Sequence, residues 1–143
     1  LGRDFVVKQV NQSLSHKGVI RGIHWTESEE GQAKYVSCPA GALWDVVVDL
    51  RPESPTFGKW EAAFLSFENR KSILISEGLG HGFLALEDGT VANYLCSSEF
   101  DNVADKTVSP FSPKLAIDFK SVAAGYGIEN FLLSPKDSKA PLF

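Results

Sequence analysis

Ala42-Leu43-Trp44-Asp45-Val46-Val47-Val48-Asp49-Leu50 decides the fold class. The run is rich in β-branched and aromatic residues. Pro39-Ala40-Gly41 precedes it and the turn-forming residues 51–58 follow it, so it reads as a strand. Working outward, residues 19–25, 34–38, 61–66, 72–76, 82–86 and 91–97 have the same character. Glu30-Gly31, Glu68-Asn69, Glu77-Gly78-Leu79-Gly80 and Glu87-Asp88-Gly89-Thr90 separate them with turn chemistry. No window carries an amphipathic helix longer than about ten residues, which argues against βαβ units. The pattern predicts an all-β antiparallel jelly roll, as a sandwich or a barrel. Residues 101–120 read as irregular, with one short helix near their start, and residues 121–130 as a loop. The tail, residues 131–143, is apolar enough to pack back on the body.

A chain of 143 residues, 43% hydrophobic and 22% charged, suits one packed domain over residues 1–143. The net charge of −4 gives no reason to expect nucleic acid as a partner. No apolar run is long enough to span a bilayer, and the opening Leu1-Gly2-Arg3-Asp4 shows no signal region. Cys38 and Cys96 sit inside strand-like runs and read as two buried thiols of a reducing, cytoplasmic compartment; a single disulfide is the other reading.

Chemistry concentrates in a few residues. His16 lies in a turn and reads as a solvated histidine. His24 lies within Val19-Ile20-Arg21-Gly22-Ile23-His24-Trp25, three residues after Arg21. Strict alternation puts these two on opposite faces, whereas a bulge at Gly22 turns both the same way. His24 reads either as a satisfied core histidine or as a pocket group, and His81, after a glycine-rich turn, as a strand-entry histidine or a ligand contact. Asp45 must face a polar cavity or pair with something. Tyr94 reads as a core tyrosine or as an acid. A barrel lined by Arg21, His24, Lys34, Asp45 and Tyr94 would suit an anionic substrate and proton transfer. Gly-x-Gly-x-x-Gly, P-loop and Cys-x-x-Cys motifs are absent, and so are closely spaced histidine pairs. The expectation is therefore no metal and no cofactor.

These residues together resemble a family. Asn11-Gln12-Ser13-Leu14-Ser15, Gly18-Val19-Ile20-Arg21-Gly22-Ile23-His24 and Gly31-Gln32-Ala33-Lys34-Tyr35-Val36 are similar to stretches of the dTDP-4-dehydrorhamnose 3,5-epimerases. So are residues 45–51, Ser54-Pro55-Thr56-Phe57-Gly58-Lys59-Trp60, Glu77-Gly78-Leu79-Gly80-His81-Gly82-Phe83, Tyr94-Leu95-Cys96-Ser97 and Leu133-Ser134-Pro135-Lys136-Asp137. The resemblance implies a metal-free, cupin-like jelly roll that forms a homodimer and takes a dTDP-linked 4-keto-6-deoxyhexose. It implies His24 as the base that removes a proton beside the ketone, Asp137 as its carboxylate partner, and Tyr94 as the acid on the opposite face. It implies Lys34 near the ketone oxygen, and Arg21 and Lys136 on the diphosphate. Gln9, Asn11 and His81 match further substrate contacts, and Asp45 a supporting residue.

Three departures qualify the match. The family's opening strands, with an Asp-x-Arg-Gly motif and a following acidic residue, have no counterpart in these 143 residues. Phe100 stands where many members have a tyrosine, keeping the stacking on a base but losing a hydroxyl. Asp105 stands where glutamate is common, and residues 121–130 look longer than usual. The resemblance implies epimerisation at C3 and C5. The alternatives are a single-centre epimerase of an antibiotic-sugar pathway, a non-catalytic sugar-nucleotide-binding jelly roll, and a metal-dependent cupin.

Overall fold

The computed structural model describes residues 4–143; residues 1–3, the start of the stretch read as having no signal region, lie outside the described residues. Among the described residues, ten strands and two short helices follow in chain order: β1 (Gln9–Ser15), β2 (Val19–Thr26), β3 (Lys34–Ala40), β4 (Ala42–Asp49), β5 (Trp60–Ser66), β6 (Ser72–Ile75), β7 (Leu79–Ala85), β8 (Thr90–Cys96), β9 (Asp105–Thr107), α1 (Phe119–Gly125), β10 (Leu132–Leu133) and α2 (Pro135–Ser138). One sheet runs β1-β8-β3-β6 and the other β10-β2-β7-β4-β5, with β9 also on β2. All pairings are antiparallel except β10 with β2. The two sheets face each other as a sandwich, as the strand pattern predicts.

β4 is apolar on both sides because its sheet is covered on both sides. On one side Trp44, Val46 and Val48 meet Leu115, Ile117 and Phe119 of the C-terminal segment. Leu43 turns the other way and joins Val36, Leu65, Ile75 and Phe83 between the sheets. Trp44 stands edge-on to Phe119 at 5.2 Å and to Trp60 at 6.0 Å. The apolar tail does pack back: β10 runs beside β2, with Leu132 opposite Val19 and Leu133 opposite Ile20. Cys38 and Cys96 are buried free thiols.

The C-terminal part departs from the sequence expectation. α1 lies at Phe119–Gly125, from the end of the stretch read as irregular into the stretch read as a loop, and not near residue 101. Asp118 caps it by accepting from the Ser121 backbone N–H at 3.0 Å. The glycines that suggested a loop instead end the helix, Gly127 adopting a φ of +66°. β1, β9 and β10 were not expected as strands, and β7 starts at Leu79, inside the predicted turn.

One contact between β2 and β7 positions the site. Arg21 pairs with Phe83 and His24 with His81, so three steps along β2 match two along β7. That is a bulge, and it turns Arg21 and His24 to the same face, as the alternative reading of Gly22 required. Gly22 has a φ of +113°, and a Cβ there would lie 2.5 Å from the Gly82 Cα and 2.6 Å from the His81 carbonyl oxygen. Both the torsion and the space demand glycine. Gly22→Ala should therefore destabilise the fold by about 2 kcal/mol or more, as strain and backbone overlap combine. Urea unfolding checks this; a parent-like midpoint would mean that the strands separate freely.

Candidate functional site

A cavity of about 380 Å³ opens between the sheets at the bulge. The six-stranded sheet brings Arg21, His24, His81 and Phe83 to it, and the four-stranded sheet brings Asn11, Ser13, Lys34, Tyr94 and Cys96. The register explains the second group. Gln9, Cys96 and Lys34 pair in one row and Asn11, Tyr94 and Val36 in the next, so these rows share the inner face. The tail closes the third side with Ser134, Lys136 and Asp137, and Asp105 comes from β9.

Ser134-Pro135-Lys136-Asp137 makes the first turn of α2. Ser134 caps it, Pro135 fits the first helical position, and the Asp137 N–H donates to Ser134 Oγ at 3.0 Å. The turn aims the Asp137 carboxylate at His24, with Oδ1 2.5 Å from Nε2, while Oδ2 accepts from the Gly22 N–H at 3.5 Å. Asp137 is 3% exposed. Burial alone would raise its carboxyl, but the hydrogen bond to His24 and the charge of His24, with Ser134 and Gly22, hold it below the usual carboxylate range. An ionised carboxylate only accepts, so the His24 Nε2–H donates to it, and among the described residues nothing hydrogen-bonds the other ring nitrogen.

A second buried pair lies deeper. His81 Nε2 is 2.8 Å from Asp45 Oδ2, and the two residues are 4% and 0% exposed. Asp45 thus has the partner its sequence context demanded. Burial pushes its carboxyl up, against the pull of His81 and Lys34. The His81 ring meets Tyr94 edge-on at 5.7 Å. Burial also raises the Tyr94 hydroxyl, to about 12, so it holds its proton at neutral pH. Lys34 is pulled down by burial, while Cys96, Asp105 and Asp45 oppose that shift.

The remaining expected residues ring the opening. Arg21 is held by Ser15 Oγ at 3.2 Å and the Leu14 carbonyl at 3.2 Å. Lys136 is ion-paired with Asp105. Phe100 is 59% exposed at the rim. Gln9 does not line the cavity; it donates to Asn11 and accepts from the Phe100 N–H, tying β1 to the rim. Ser13, Gln32, Cys96 and Ser134 line the cavity without having been singled out as site residues. Alternation along Asn11-Gln12-Ser13 could have found Ser13, since it shares a face with Asn11. A larger opening, about 560 Å³, lies at the β5 and β6 edge and reaches Asp45, but it holds none of His24, Lys34, Tyr94 or Asp137. Among the described residues, no cluster of three or more metal-ligating side chains occurs, and no helix is long and apolar enough to cross a membrane.

The model of the family described as dTDP-4-dehydrorhamnose 3,5-epimerase matches residues 1–143. The chain belongs to that family. It is 44% identical over 142 residues to the dTDP-4-dehydrorhamnose 3,5-epimerase of Mycobacterium tuberculosis, covering 99% of this chain and 68% of the relative. It is 45% identical over 140 residues to a dTDP-4-dehydro-6-deoxyglucose 3-epimerase of Streptomyces bikiniensis, covering 98% and 68%. The solved epimerase of Mycobacterium tuberculosis superposes with a TM-score of 0.93 at 43% identity, over 99% of this chain and 68% of that one. A 3'-monoepimerase from Streptomyces bikiniensis, solved with dTDP-quinovose, gives 0.90 at 45% identity, over 99% and 68%.

The chain holds a carboxylate–histidine pair whose contribution to stability depends on pH in a defined direction. Because Asp137 has a lowered pKa in the folded chain, its contribution to stability is whole above the ordinary carboxylate pKa and is lost as pH falls below about 4. Asp137→Asn should flatten that acid limb and lower stability at neutral pH. Urea midpoints measured across acid and neutral pH check this; equal slopes in parent and variant would remove the pair from the balance.

Proposed function

We propose that this chain is an epimerase that acts on a dTDP-4-keto-6-deoxyhexose in deoxysugar biosynthesis, inverting C3 and C5 through an enolate. One observation carries the reading: the His24–Asp137 pair and the Tyr94 hydroxyl reach one cavity from opposite sheets. Inversion requires proton removal on one face of a carbon and return on the other, so two groups must flank the substrate. His24 serves as the base through its free ring nitrogen, and Asp137 fixes its tautomer and balances the imidazolium. Lys34 stabilises the enolate oxygen, where charge develops. Tyr94 returns the proton from the far side. Arg21 and Lys136 supply the cationic rim that a nucleoside diphosphate needs, and Phe100 a surface for its base. Gln9, Asn11, His81 and Asp105 complete the substrate contacts in this reading. A homodimer and a cytoplasmic location belong to it as well.

A second reading, inversion at C3 alone, draws on the 3-epimerase names among relatives of similar identity. Turnover in heavy water separates the two: deuterium at both carbons supports double inversion, and deuterium at C3 alone the single reaction. The same assay tests the roles. His24→Asn should abolish exchange and product while dTDP still binds. Tyr94→Phe should keep deuterium wash-in by same-face return, while inverted product falls about a hundredfold or more. Inverted product at the parental rate from Tyr94→Phe would place the acid elsewhere.

A further inference from the structure

Tyr94 has a single hydrogen-bond partner among the described residues, Ser13, with the two hydroxyl oxygens 3.5 Å apart. Its other neighbours are less suited to help. Arg21 acts only through its charge, the His81 ring meets Tyr94 edge-on, and Asp45 and Cys96 disfavour a negative charge on it. Ser13 is half-buried, on β1 at the edge of its sheet, with its side chain on the inner face. The next inward residue of that strand, Ser15, holds the Arg21 guanidinium. β1 therefore carries two inward hydroxyls, one holding a cation and one beside the phenol.

A buried phenol that gives up its proton leaves an anion where burial opposes one. A donor already in place counters this as the charge forms, and a long contact in the resting site shortens when its acceptor becomes charged. We propose that Ser13 is a positioning residue for proton delivery: its hydroxyl donates to the Tyr94 oxygen, turns the phenolic proton toward the cavity and stabilises the phenolate left behind. The balance is simple. The Tyr94 O–H bond breaks, a C–H bond forms at the enolate carbon, and the electron pair stays on the phenolate. Ser13 keeps its own proton throughout. The phenolate is reprotonated by solvent water after product leaves. This role rests on the epimerase reading and on Tyr94 as its acid.

The test uses the full chain, its Ser13→Ala and Ser13→Thr variants, and a dTDP-4-keto-6-deoxyglucose substrate in heavy water. Deuterium wash-in reports removal by His24, and inverted product reports delivery by Tyr94. Ser13→Ala should lower kcat for inverted product about tenfold, the effect of one hydrogen bond to a charged group. KM and wash-in should stay within about twofold, since the loss is confined to the delivery step. Ser13→Thr, which keeps the hydroxyl, should restore the rate. Parental product formation by Ser13→Ala overturns the role. So does an equal loss of wash-in and product, or a Thr variant as slow as the Ala variant. A parent that forms no inverted product overturns the epimerase reading and the Ser13 role with it, whereas an active parent beside an unaffected Ser13→Ala overturns the Ser13 role alone.

Discussion

The backbone contact between Gly22 and Gly82 is what the site depends on. A strand is a two-fold ribbon, so residues three apart along it face opposite ways. Arg21 and His24 reach one cavity because β2 fits an extra residue against β7 where both strands lack a Cβ. The space is tight from both directions: a Cβ on Gly82 would lie 2.6 Å from Ile23 Cδ1 and 2.8 Å from the Arg21 carbonyl oxygen. The same bulge leaves the Gly22 N–H facing the Asp137 carboxylate. A single local irregularity therefore aims the imidazole and supplies part of the polar seat of its partner.

Around that point the site is built on regular, two-sided structure. The six-stranded sheet is packed on one side by the C-terminal segment and on the other by the sandwich interior. Side chains rising from such a sheet have little freedom, so His24 and Tyr94 are held at fixed positions on the cavity walls. The costly elements are the buried carboxylates. Two are seated against a histidine, Asp45 with His81 deep in the sandwich and Asp137 with His24 nearer the opening, while Asp49 is held by Arg51 outside the cavity. The deeper pair braces the wall beside Tyr94, and the outer one faces the cavity.

Much of this was legible in the sequence, for identifiable reasons. β4 announced itself through β-branched and aromatic density, and Asp45 through its isolation among apolar residues. The glycine between Arg21 and His24 offered a bulge as the alternative to strict alternation, and the register between β2 and β7 decides for it. The strands that were missed lacked those signals. Gln9–Ser15 is mostly polar, as an edge strand that lines a polar cavity can be, and β9 and β10 are too short for any periodicity to emerge. The helix at Phe119–Gly125 was hidden because its cap, Asp118, and its stop glycines resemble loop composition when read singly. The approach of Asp137 to His24 was legible only through family resemblance, since no local pattern links positions so far apart.

That distance has a consequence for how the protein is made. His24 and its carboxylate are 113 residues apart in sequence, and the carboxylate arrives on a short turn anchored by the parallel β10. During synthesis the jelly-roll strands through β8 leave the ribosome well before Asp137 does, at ordinary elongation speeds. The nascent sandwich can bury its apolar interior while its histidine still faces an open flank. Pairing of His24 with Asp137 thereby waits until α2 has been made, after the walls of the cavity have formed.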